Sequence, residues 1–347
     1  MSTVNSGPLI AKTGLVLDLD ASSVTSYSAI AVYSVQCYSV YNGGLRSANY
    51  TVQYSDDNST WITAFTGVMS NNSSCGIITG TNRNDSNYSK HRYWRYVEGA
   101  AIAGHHPRVA RIDFITKSGA VYNLTTYTTD NCSDSGTYIV GTVSKDFGTT
   151  TWRDISGSSN NGTLTSGPTY SNSNKGNIIF DGTNDNIQLG NASTFLPTSA
   201  ITINCWAKTN VVGVYKKLFV TVAAGTAAIT GIFFSLGPSP DGIYLGIITS
   251  NGTQYATSTT NPSTTLFNNF CGTYDGVNIN LYLNGILIAT KAQTGNIINS
   301  GIARISGYDN GAEIWDGNIS SFSIYNRALT ATEVLQNYEA TKTRFGL

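Results

Sequence analysis

Charged side chains are scarce in this sequence. Of its 347 residues only 12% are Asp, Glu, Lys or Arg, and 20 basic residues balance 20 acidic ones. An ordinary soluble domain carries about 25% charged residues. Solubility must therefore come from Ser, Thr, Asn and Gly, a composition that suits extended β surfaces. No cluster of basic residues is present to neutralise a phosphate backbone, so we expect no nucleic-acid partner.

Long apolar runs and export signals are also lacking. No apolar stretch approaches the roughly 18 residues that a membrane helix needs. The first residues, M-S-T-V-N-S-G, contain no basic region followed by an apolar one, as a secretory signal would. We therefore expect no membrane association, and a chain that is made and folded in a cytoplasm or leaves it by another route.

Cysteine is present in an odd number and without a metal-binding spacing. None of the five cysteines forms a C-x-x-C pair, which disfavours zinc and a complete disulfide framework. Free buried thiols are the favoured interpretation. Pairing of Cys205 with Cys271, or of Cys75 with Cys132, remains open at this point.

Patterns typical of β-strands occur along most of the sequence. Short alternating runs, bounded by Gly, Asn, Asp or Pro, recur at roughly the 8–12-residue spacing of a β-sandwich. Examples are residues 50–54, 108–115, 177–180, 201–207, 242–248 and 278–283. Asp-Gly and Asn-Gly dipeptides favour tight turns, and the clearest hairpin has Asn284 and Gly285 between two apolar runs. The sequence therefore predicts an all-β chain.

One helix is predicted, near the C-terminus. The motif T-A-T-E at 330–333 has the form of a capping box, in which Thr covers a free N–H and Glu reaches back to the cap. Val334, Leu335 and Tyr338 follow on one face at helical spacing. We expect this short helix to pack on the sandwich and to end near Arg344.

Motifs from residue 146 onward resemble those of a known fold. They are W-R-D-I-S-G at 152–157, I-F-D-G-T-N-D-N-I-Q-L at 179–189, I-T-I-N-C-W-A at 201–207, G-T-Y-D-G at 272–276, and the run at 317–338 that ends in the helix. In this order they resemble the laminin G-like, concanavalin A-type jelly rolls found in many phage virion proteins. The resemblance implies an antiparallel jelly roll with a short C-terminal helix.

The opening strand of that domain is separated from the rest. Residues 14–21, G-L-V-L-D-L-D-A, resemble it, but roughly 120 residues follow before the next motif, enough for a domain. Within them, S-D-D-N-S-T-W at 55–61 and H-R-Y-W-R-Y-V at 91–97 resemble a discoidin-type (coagulation factor 5/8 C-like) galactose-binding sandwich.

The fold prediction is therefore two antiparallel β-sandwich or jelly-roll domains, one inserted in the other. The laminin G-like domain is discontinuous and comprises residues 1–27 and 145–347. The discoidin-like domain comprises residues 28–144. Insertion at a loop costs little because the termini of such sandwiches often lie close together.

Residues for catalysis are in short supply. Concanavalin-type folds include glycoside hydrolases, which use two carboxylates that flank the bond. The four glutamates lie in no E-x-D-x-E strand: Glu98, Glu313, Glu333 and Glu339. Asp pairs such as Asp18 with Asp20 and Asp181 with Asp185 could in principle supply the two carboxylates. Asp18 and Asp20 would share one face of a strand, but next to A-S-S at 21–23 the favoured interpretation is that they meet a loop or bind an ion. No G-x-S-x-G elbow accompanies the three histidines, His91, His105 and His106. We expect a protein that is not an enzyme.

A calcium ion is the one cofactor that the resemblance suggests. Laminin G-like relatives sometimes hold Ca²⁺ at the rim of the sandwich, with carboxylates and backbone carbonyls among its 6–8 oxygen ligands. Asp181, Asn184 and Asp185 are the candidate ligands here, with Asp154 elsewhere. The alternative is a turn in which Asp and Asn bond to their own backbone.

Carbohydrate binding occurs among relatives of both folds, and aromatic platforms on loops are its usual means. The chain has 21 Tyr and 5 Trp. We expect Trp61, Trp94 and Trp206 to be core aromatics. Trp152, Trp315 and Tyr308, near polar turns, are the candidate sugar-contacting residues, with core packing as the alternative for each Trp.

These expectations lead to a non-enzymatic structural component of a tailed-phage virion, assembled in the host cytoplasm: a fibre, spike or decoration protein. Its partners would be other virion proteins, copies of itself in a homo-oligomer, and a glycan on the host surface. The alternative is a lectin-like carbohydrate-binding module outside any virion, and a third possibility is an interaction domain with no affinity for glycans.

Overall fold

The structure is a computed structural model that describes residues 10–23, 32–39, 48–55, 60–69, 76–79, 93–98, 109–116, 121–124, 142–146, 150–171, 173–238, 242–308 and 310–347. Within these ranges the protein consists mainly of antiparallel strands, with one helix longer than a single turn near its C-terminus. The predicted all-β class is confirmed. Neither helix in the described ranges has the length and apolar character that crossing a membrane requires.

The chain divides into two compact units, and the second interrupts the first in sequence. The first unit comprises Met1–Tyr27 and Thr150–Leu347, and the second comprises Ser28–Thr149. In the first unit, the backbone N–H of Ile155 donates to the carbonyl of Asp18 at 2.9 Å. The chain therefore re-enters this unit beside the strand from which it left.

The second unit contains two four-stranded antiparallel sheets among the described residues. After β1 (Leu15–Asp20) of the first unit, its strands are β2 (Val32–Ser39), β3 (Ala48–Ser55), β4 (Ile62–Met69), β5 (Gly76–Thr79), β6 (Tyr93–Glu98), β7 (Val109–Thr116), β8 (Val121–Asn123) and β9 (Thr142–Asp146). The sheet orders are β5-β2-β7-β8 and β4-β3-β6-β9. Val35 and Phe114 of one sheet share a buried cluster with Tyr50 and Trp94 of the other, so the unit is a sandwich.

The remaining elements belong to the first unit. They are β10 (Thr151–Trp152), β11 (Gly162–Thr165), β12 (Thr169–Ser171), β13 (Asn177–Asp181), β14 (Asn186–Asn191), α1 (Ala192–Phe195), β15 (Ile201–Thr209), β16 (Lys216–Val222), β17 (Ile229–Leu236), β18 (Ile243–Thr249), β19 (Gly252–Ser258), β20 (Asn268–Tyr274), β21 (Asn278–Leu283), β22 (Ile286–Ala292), β23 (Ile302–Ile305), β24 (Asp316–Tyr325) and α2 (Ala331–Thr341).

These strands form two eight-stranded sheets. Sheet A has the order β12-β13-β24-β15-β20-β21-β22, with β1 also paired to β24, and sheet B has the order β10-β11-β14-β23-β16-β17-β18-β19. Phe219 of sheet B stacks on Phe322 of sheet A with ring centroids 5.6 Å apart. Phe234 of sheet B meets Phe270 of sheet A edge to face at 6.4 Å. The core of this jelly roll therefore lies between the inner faces of the two sheets.

Helix α2 covers the outer face of sheet A. Trp206 of β15 stacks on Phe345 at 4.3 Å and donates its indole N–H to the Thr341 hydroxyl at 2.7 Å. Both bonds of the predicted capping box are present. Val334 is fully buried, but Leu335 is 46% exposed. Leu335 lies at the margin of the packed face, where its Cδ1 atom approaches Gly285 in the turn between β21 and β22.

The central cysteines do not form a disulfide. In the β15–β20 pair Cys205 lies opposite Phe270, and Cys271 lies opposite Asn204. Because these positions are one step apart, the two side chains point to opposite faces of the sheet. Both thiols are free and buried. Cys75 and Cys132 lie outside the described residues, as do His91, His105 and His106.

Candidate functional site

The two tryptophans predicted to contact sugar belong to the core. Trp152 and Trp315 have no exposed surface. Trp315 packs edge to face on Phe270 at 6.1 Å. Trp152 lies in β10, paired across from Gly162. The polar turns near these residues lie at the surface, but the side chains point inward. Their assignment as sugar platforms is therefore corrected, because a ring with no solvent-facing side cannot stack on a ligand.

Tyr308 lies instead at an aromatic surface on the outer face of sheet B. Only 7% of its surface is exposed, and it packs in a cluster with Val220, Phe233 and Tyr244. The alternation of side chains along a strand places Phe233 and Tyr244 on the face opposite to Phe234, which points into the core. Tyr308 is thus the one sequence-predicted aromatic that reaches this face.

A glycine allows the aromatic rings to lie close to the sheet. Gly246 is aligned between Phe233 of β17 and Tyr255 of β19. A Cβ atom at Gly246 would lie 1.9 Å from the Phe233 ring, so the ring occupies the space that a side chain would fill. Phe233 in turn meets Tyr244 edge to face at 5.9 Å.

Three tyrosines form a row across this face, which we call the tyrosine row: Tyr215, Tyr244 and Tyr255. The centroid of the Tyr244 ring lies 6.3 Å from that of Tyr215 and 6.5 Å from that of Tyr255. Tyr244 is nearly buried, whereas Tyr215 is 45% and Tyr255 is 50% exposed. The row therefore presents two accessible rings separated by a third that supports both.

Beneath the row lies a buried lysine. The side chain of Lys217 is 4% exposed, and its Nζ atom lies 2.7 Å from a carboxylate oxygen of Glu313 and 3.3 Å from the Tyr244 hydroxyl. Four ring centroids surround the ammonium group at 5.4–6.0 Å, those of Tyr308, Tyr244, Phe233 and Tyr215. Such distances favour cation–π attraction. Sequence inspection gave no reason to select this lysine.

The ion pair fixes the loop that carries Tyr308. Glu313 has a left-handed backbone (φ = 55°), and its carbonyl accepts a bond from the Lys217 N–H at 2.8 Å. The loop is thus tied to β16 by both backbone and side chain. Burial raises the pKa of Tyr308, with the nearby Lys217 charge acting in the opposite direction. Its phenol therefore stays protonated and can donate a hydrogen bond at neutral pH.

A groove adjoins the row at the open side of the sandwich. It lies between β19, the last strand of sheet B, and β22, the last strand of sheet A, and has a volume of about 480 Å³. Small-ligand sites typically measure about 300–1,000 Å³. The lining residues are Thr253, Gln254, Tyr255, Ala256, Thr257, Thr290 and Lys291. Tyr255 belongs to both the groove and the tyrosine row, so the two form one continuous surface.

The predicted calcium ligands form a turn. The Asp181 carboxylate accepts bonds from the backbone N–H groups of Thr183 at 2.8 Å and Asn184 at 3.4 Å. Asp185 accepts the N–H of Asp181 at 3.0 Å. In the described part of the chain, no three His, Cys, Asp or Glu side chains are grouped as metal ligands would be. These contacts favour the turn interpretation, and calcium binding here remains a prediction.

The candidate catalytic carboxylates are engaged elsewhere. Asp18 accepts a bond from the Ser323 hydroxyl at 3.0 Å, and Asp20 is paired with Arg344 at 2.7 Å. Both line a cavity of only about 60 Å³ beneath α2. Glu333 and Glu339 are paired with cations of the C-terminal region.

The comparison with protein families identifies the fold of the first unit. Residues 181–335 match the concanavalin A-like lectin/glucanase superfamily, in its laminin G-like branch. The matched stretch is less than half of the chain and lies wholly within the first unit. This unit therefore has the concanavalin A-like jelly-roll fold that the motifs predicted. A comparison with curated proteins finds no match.

Several solved structures are similar to the chain. One is domain 4 of AbnA, a GH43 extracellular arabinanase from Geobacillus stearothermophilus in complex with arabinotriose, at 16% identity and a TM-score of 0.44, covering 53% of this chain and 91% of that one. Another is the binding domain of Paraclostridial Mosquitocidal Protein 1, at 17% identity and a TM-score of 0.45, covering 54% of this chain and 48% of that one. A third is the botulinum neurotoxin serotype G binding domain, at 19% identity and a TM-score of 0.42, covering 54% of this chain and 47% of that one. The chain spans most of the arabinanase domain and about half of each toxin domain.

Proposed function

We propose that the jelly-roll unit is a non-catalytic carbohydrate-binding domain whose ligand lies on the tyrosine row and enters the adjoining groove. The observation that carries this proposal is the arrangement of Tyr215 and Tyr255. Their half-exposed rings flank Tyr244 at 6.3 and 6.5 Å, beside a groove lined mainly by hydroxyl and amide groups.

The chemistry of this surface suits a sugar. One side of a pyranose ring presents C–H groups, which pack on an aromatic face, while its hydroxyls need hydrogen-bond partners. Tyr255 supplies the face, and Thr253, Gln254 and Thr257 supply donors and acceptors. Because a single sugar is about as wide as one phenol ring, a ligand that contacts both exposed tyrosines must be an oligosaccharide.

A series of oligosaccharides of increasing length tests this proposal. A glycan array on the purified chain, with and without Ca²⁺, identifies a ligand that free sugar displaces. We expect affinity to rise with chain length, and Tyr255→Ala to weaken binding about tenfold. Leu266→Ala is the matched control, because Leu266 is 51% exposed and lies in the turn before β20. A blank array, or equal losses in both variants, would remove the proposal.

Absence of catalysis is part of the same proposal. Incubation with the bound oligosaccharide should release no reducing ends. Asp18 and Asp20, a pair that could in principle supply two carboxylates, lie at the small cavity beneath α2. Hydrolysis that Asp18→Asn and Asp20→Asn abolish would show that the chain is a glycosidase.

A second, more specific proposal concerns where the domain acts. We propose that the chain is an exposed component of a tailed-phage virion, which docks on other virion proteins and on its own copies. Its motifs, which resemble those of virion proteins, and its low charge support this setting. Labelling purified phage particles with an antibody against the chain tests it. Labelling at fixed stoichiometry supports a virion component, whereas release of the chain as a free protein favours a lectin-like module.

The second unit is proposed to be of the discoidin type. The motifs at 55–61 and 91–97 support this assignment, together with a sandwich of two four-stranded sheets with Trp94 at its centre. An experimental structure of residues 28–149 with a strand order different from that of discoidin domains would reject it.

A further inference from the structure

We propose that the oligosaccharide bound at this surface is acidic, and that Lys291 binds its carboxylate or sulfate group at the groove. This inference rests on the proposed carbohydrate-binding function and narrows the class of ligand. Lys291 lies at the end of the site that β22 forms and would bind the charged group, whereas the tyrosine row would contact the sugar rings.

The charges around the groove support an anionic ligand. Lys291 is exposed and is the one lining residue that carries a charge at neutral pH; the lining contains no carboxylate. Within the described residues, no carboxylate lies within ion-pair distance of its ammonium group. Asp275, in the turn before β21, accepts bonds from the N–H groups of Val277 at 2.8 Å and Asn278 at 2.6 Å. The positive charge of Lys291 is therefore available to a ligand.

The other lysine near the site cannot supply this charge. Lys217 lies beneath the tyrosine row, but its side chain is 4% exposed and is paired with Glu313 at 2.7 Å. Its charge is neutralised and shielded from solvent. Among the residues that line the groove, Lys291 is therefore the one that can select for a negative ligand.

The neutral lining residues complete the recognition. Thr253 and Thr257 of β19 face the groove together with Thr290 of β22. Thr290 donates its hydroxyl hydrogen to Asn280 at 2.9 Å, which leaves the oxygen free to accept a bond. A uronic acid, a sulfated sugar or a sialic acid combines hydroxyls for these residues with an anion for Lys291. The shared chemistry is an acidic sugar unit joined to at least one neighbour on Tyr255.

A lysine on an edge strand has another established role. It discourages pairing with strands of other molecules, because a charge is costly to bury at a new strand interface. That role requires no ligand and predicts no preference between acidic and neutral glycans. The two explanations for Lys291 therefore give different results in a binding experiment.

An array of matched pairs tests the inference. Each acidic glycan is printed beside its neutral counterpart: oligogalacturonate with its methyl ester, sulfated with desulfated chondroitin, and sialyllactose with lactose. We expect the strongest signals on acidic members, about fivefold to tenfold above their partners, because a charge-assisted hydrogen bond adds this much. The preference should shrink between 50 and 500 mM NaCl as salt screens the exposed charge.

Two variants assign the preference to its residue. Lys291→Met should bind acidic and neutral members equally, with its thermal unfolding midpoint unchanged. Lys175→Met, which removes an exposed lysine next to edge strand β12 of sheet A, should keep the preference. Neutral glycans that bind as well as acidic ones, or a preference that survives in Lys291→Met, would overturn this inference and leave the carbohydrate-binding proposal intact. An array with no signal at all would overturn both.

Discussion

Lys217 is a charged residue that is buried beneath the aromatic surface of sheet B. Its neighbours on sheet B are mainly rings and aliphatic side chains, and its carboxylate partner among the described residues, Glu313, is 28% exposed. An ammonium group in such a place is stabilised by the ion pair, by the Tyr244 hydroxyl and by the ring faces around it. The exposed rings of the tyrosine row therefore depend on a residue that no ligand touches.

Replacement of this lysine should be costly. Lys217→Met keeps most of the packing but leaves Glu313 without its cation, so we expect a loss of about 2 kcal/mol in the free energy of unfolding. Urea denaturation measures it. Lys175→Met, at an exposed position, should change stability by less than about 0.5 kcal/mol. If Lys217→Met is as stable as the unaltered protein, the ion pair does not hold the Tyr308 loop in place.

Asp18, in contrast to the buried cation Lys217, is a buried carboxylate. Burial raises the pKa of Asp18 above its ordinary value of 3.8, while the Ser323 hydrogen bond and the Lys12 charge oppose the shift. A group with a raised pKa stabilises the folded protein when it is protonated. This contribution is fully present below pH 3.8 and is lost as the pH rises through the raised value.

Asp18→Asn should remove that dependence. We expect the stability difference between the variant and the unaltered protein to change in favour of the variant as the pH rises from 3.5 towards 7. Urea denaturation at several pH values, with the two proteins measured side by side, gives this difference. A constant difference across the range would mean that the pKa of Asp18 is the same in the folded and unfolded protein, so that burial does not raise it.

At the scale of elements, α2 depends on one carboxylate for two purposes. Glu333 accepts the N–H of Thr330 at 2.9 Å and pairs with Arg327 through both oxygens, at 2.6 and 2.9 Å. The Arg327 hydrogen bonds, followed by the bond from the Thr330 backbone, lower the pKa of Glu333 to about 2. A lowered pKa stabilises the folded state above the ordinary value of 4.5, and this contribution is lost as the pH falls through about 2.

Glu333→Gln should therefore weaken the attachment of α2 at neutral pH. We expect a loss of about 1 kcal/mol at pH 7, because the cap and a partly exposed ion pair each contribute modestly, and convergence with the unaltered protein near pH 2. Circular dichroism during urea unfolding at both pH values measures this. Glu339→Gln on the same helix removes a more exposed pair and should have little effect. A loss that is equal at the two pH values would contradict the assignment.

Elements that depend on local chemistry were predictable from the sequence. Asn284 and Gly285 both have positive φ, 52° and 77°, as the two-residue turn between β21 and β22 requires. The capping box at the start of α2 likewise follows from four consecutive residues. Such signals need no knowledge of the rest of the fold.

Which aromatic residues are exposed at the site could not be predicted from short stretches of the sequence. Trp152 and Trp315 are near polar turns, yet Trp152 in β10 and Trp315 just before β24 both point inward. Tyr255 lies in β19, where only Ala256 is buried, so the alternation that would mark an exposed ring is faint. Whether a side chain on a strand faces the core is decided by the second sheet, and the groove exists only because β19 and β22, 28 residues or more apart in sequence, end their sheets on the same side.

At the scale of the whole molecule, each unit has a core of its own. We predict that a chain in which residues 28–149 are replaced by a short Gly-Ser linker folds and keeps its glycan binding, because Asp18 and Ile155 are already hydrogen-bonded neighbours. Residues 28–149 should also fold alone. Calorimetry of both pieces and of the intact chain checks this. An excised chain that aggregates, while the intact one is soluble, would show that the units depend on each other.

Strand β1 forms its sheet contacts with β24, and the partners Leu17 and Ile324 are separated by nearly the whole chain. On a ribosome, which delivers residues from the N-terminus onward, β1 emerges long before β24 exists. Residues 28–149, by contrast, are complete long before β24 has been made. The inserted unit should thus fold during synthesis before the unit that it interrupts, which can close only when β24 has emerged.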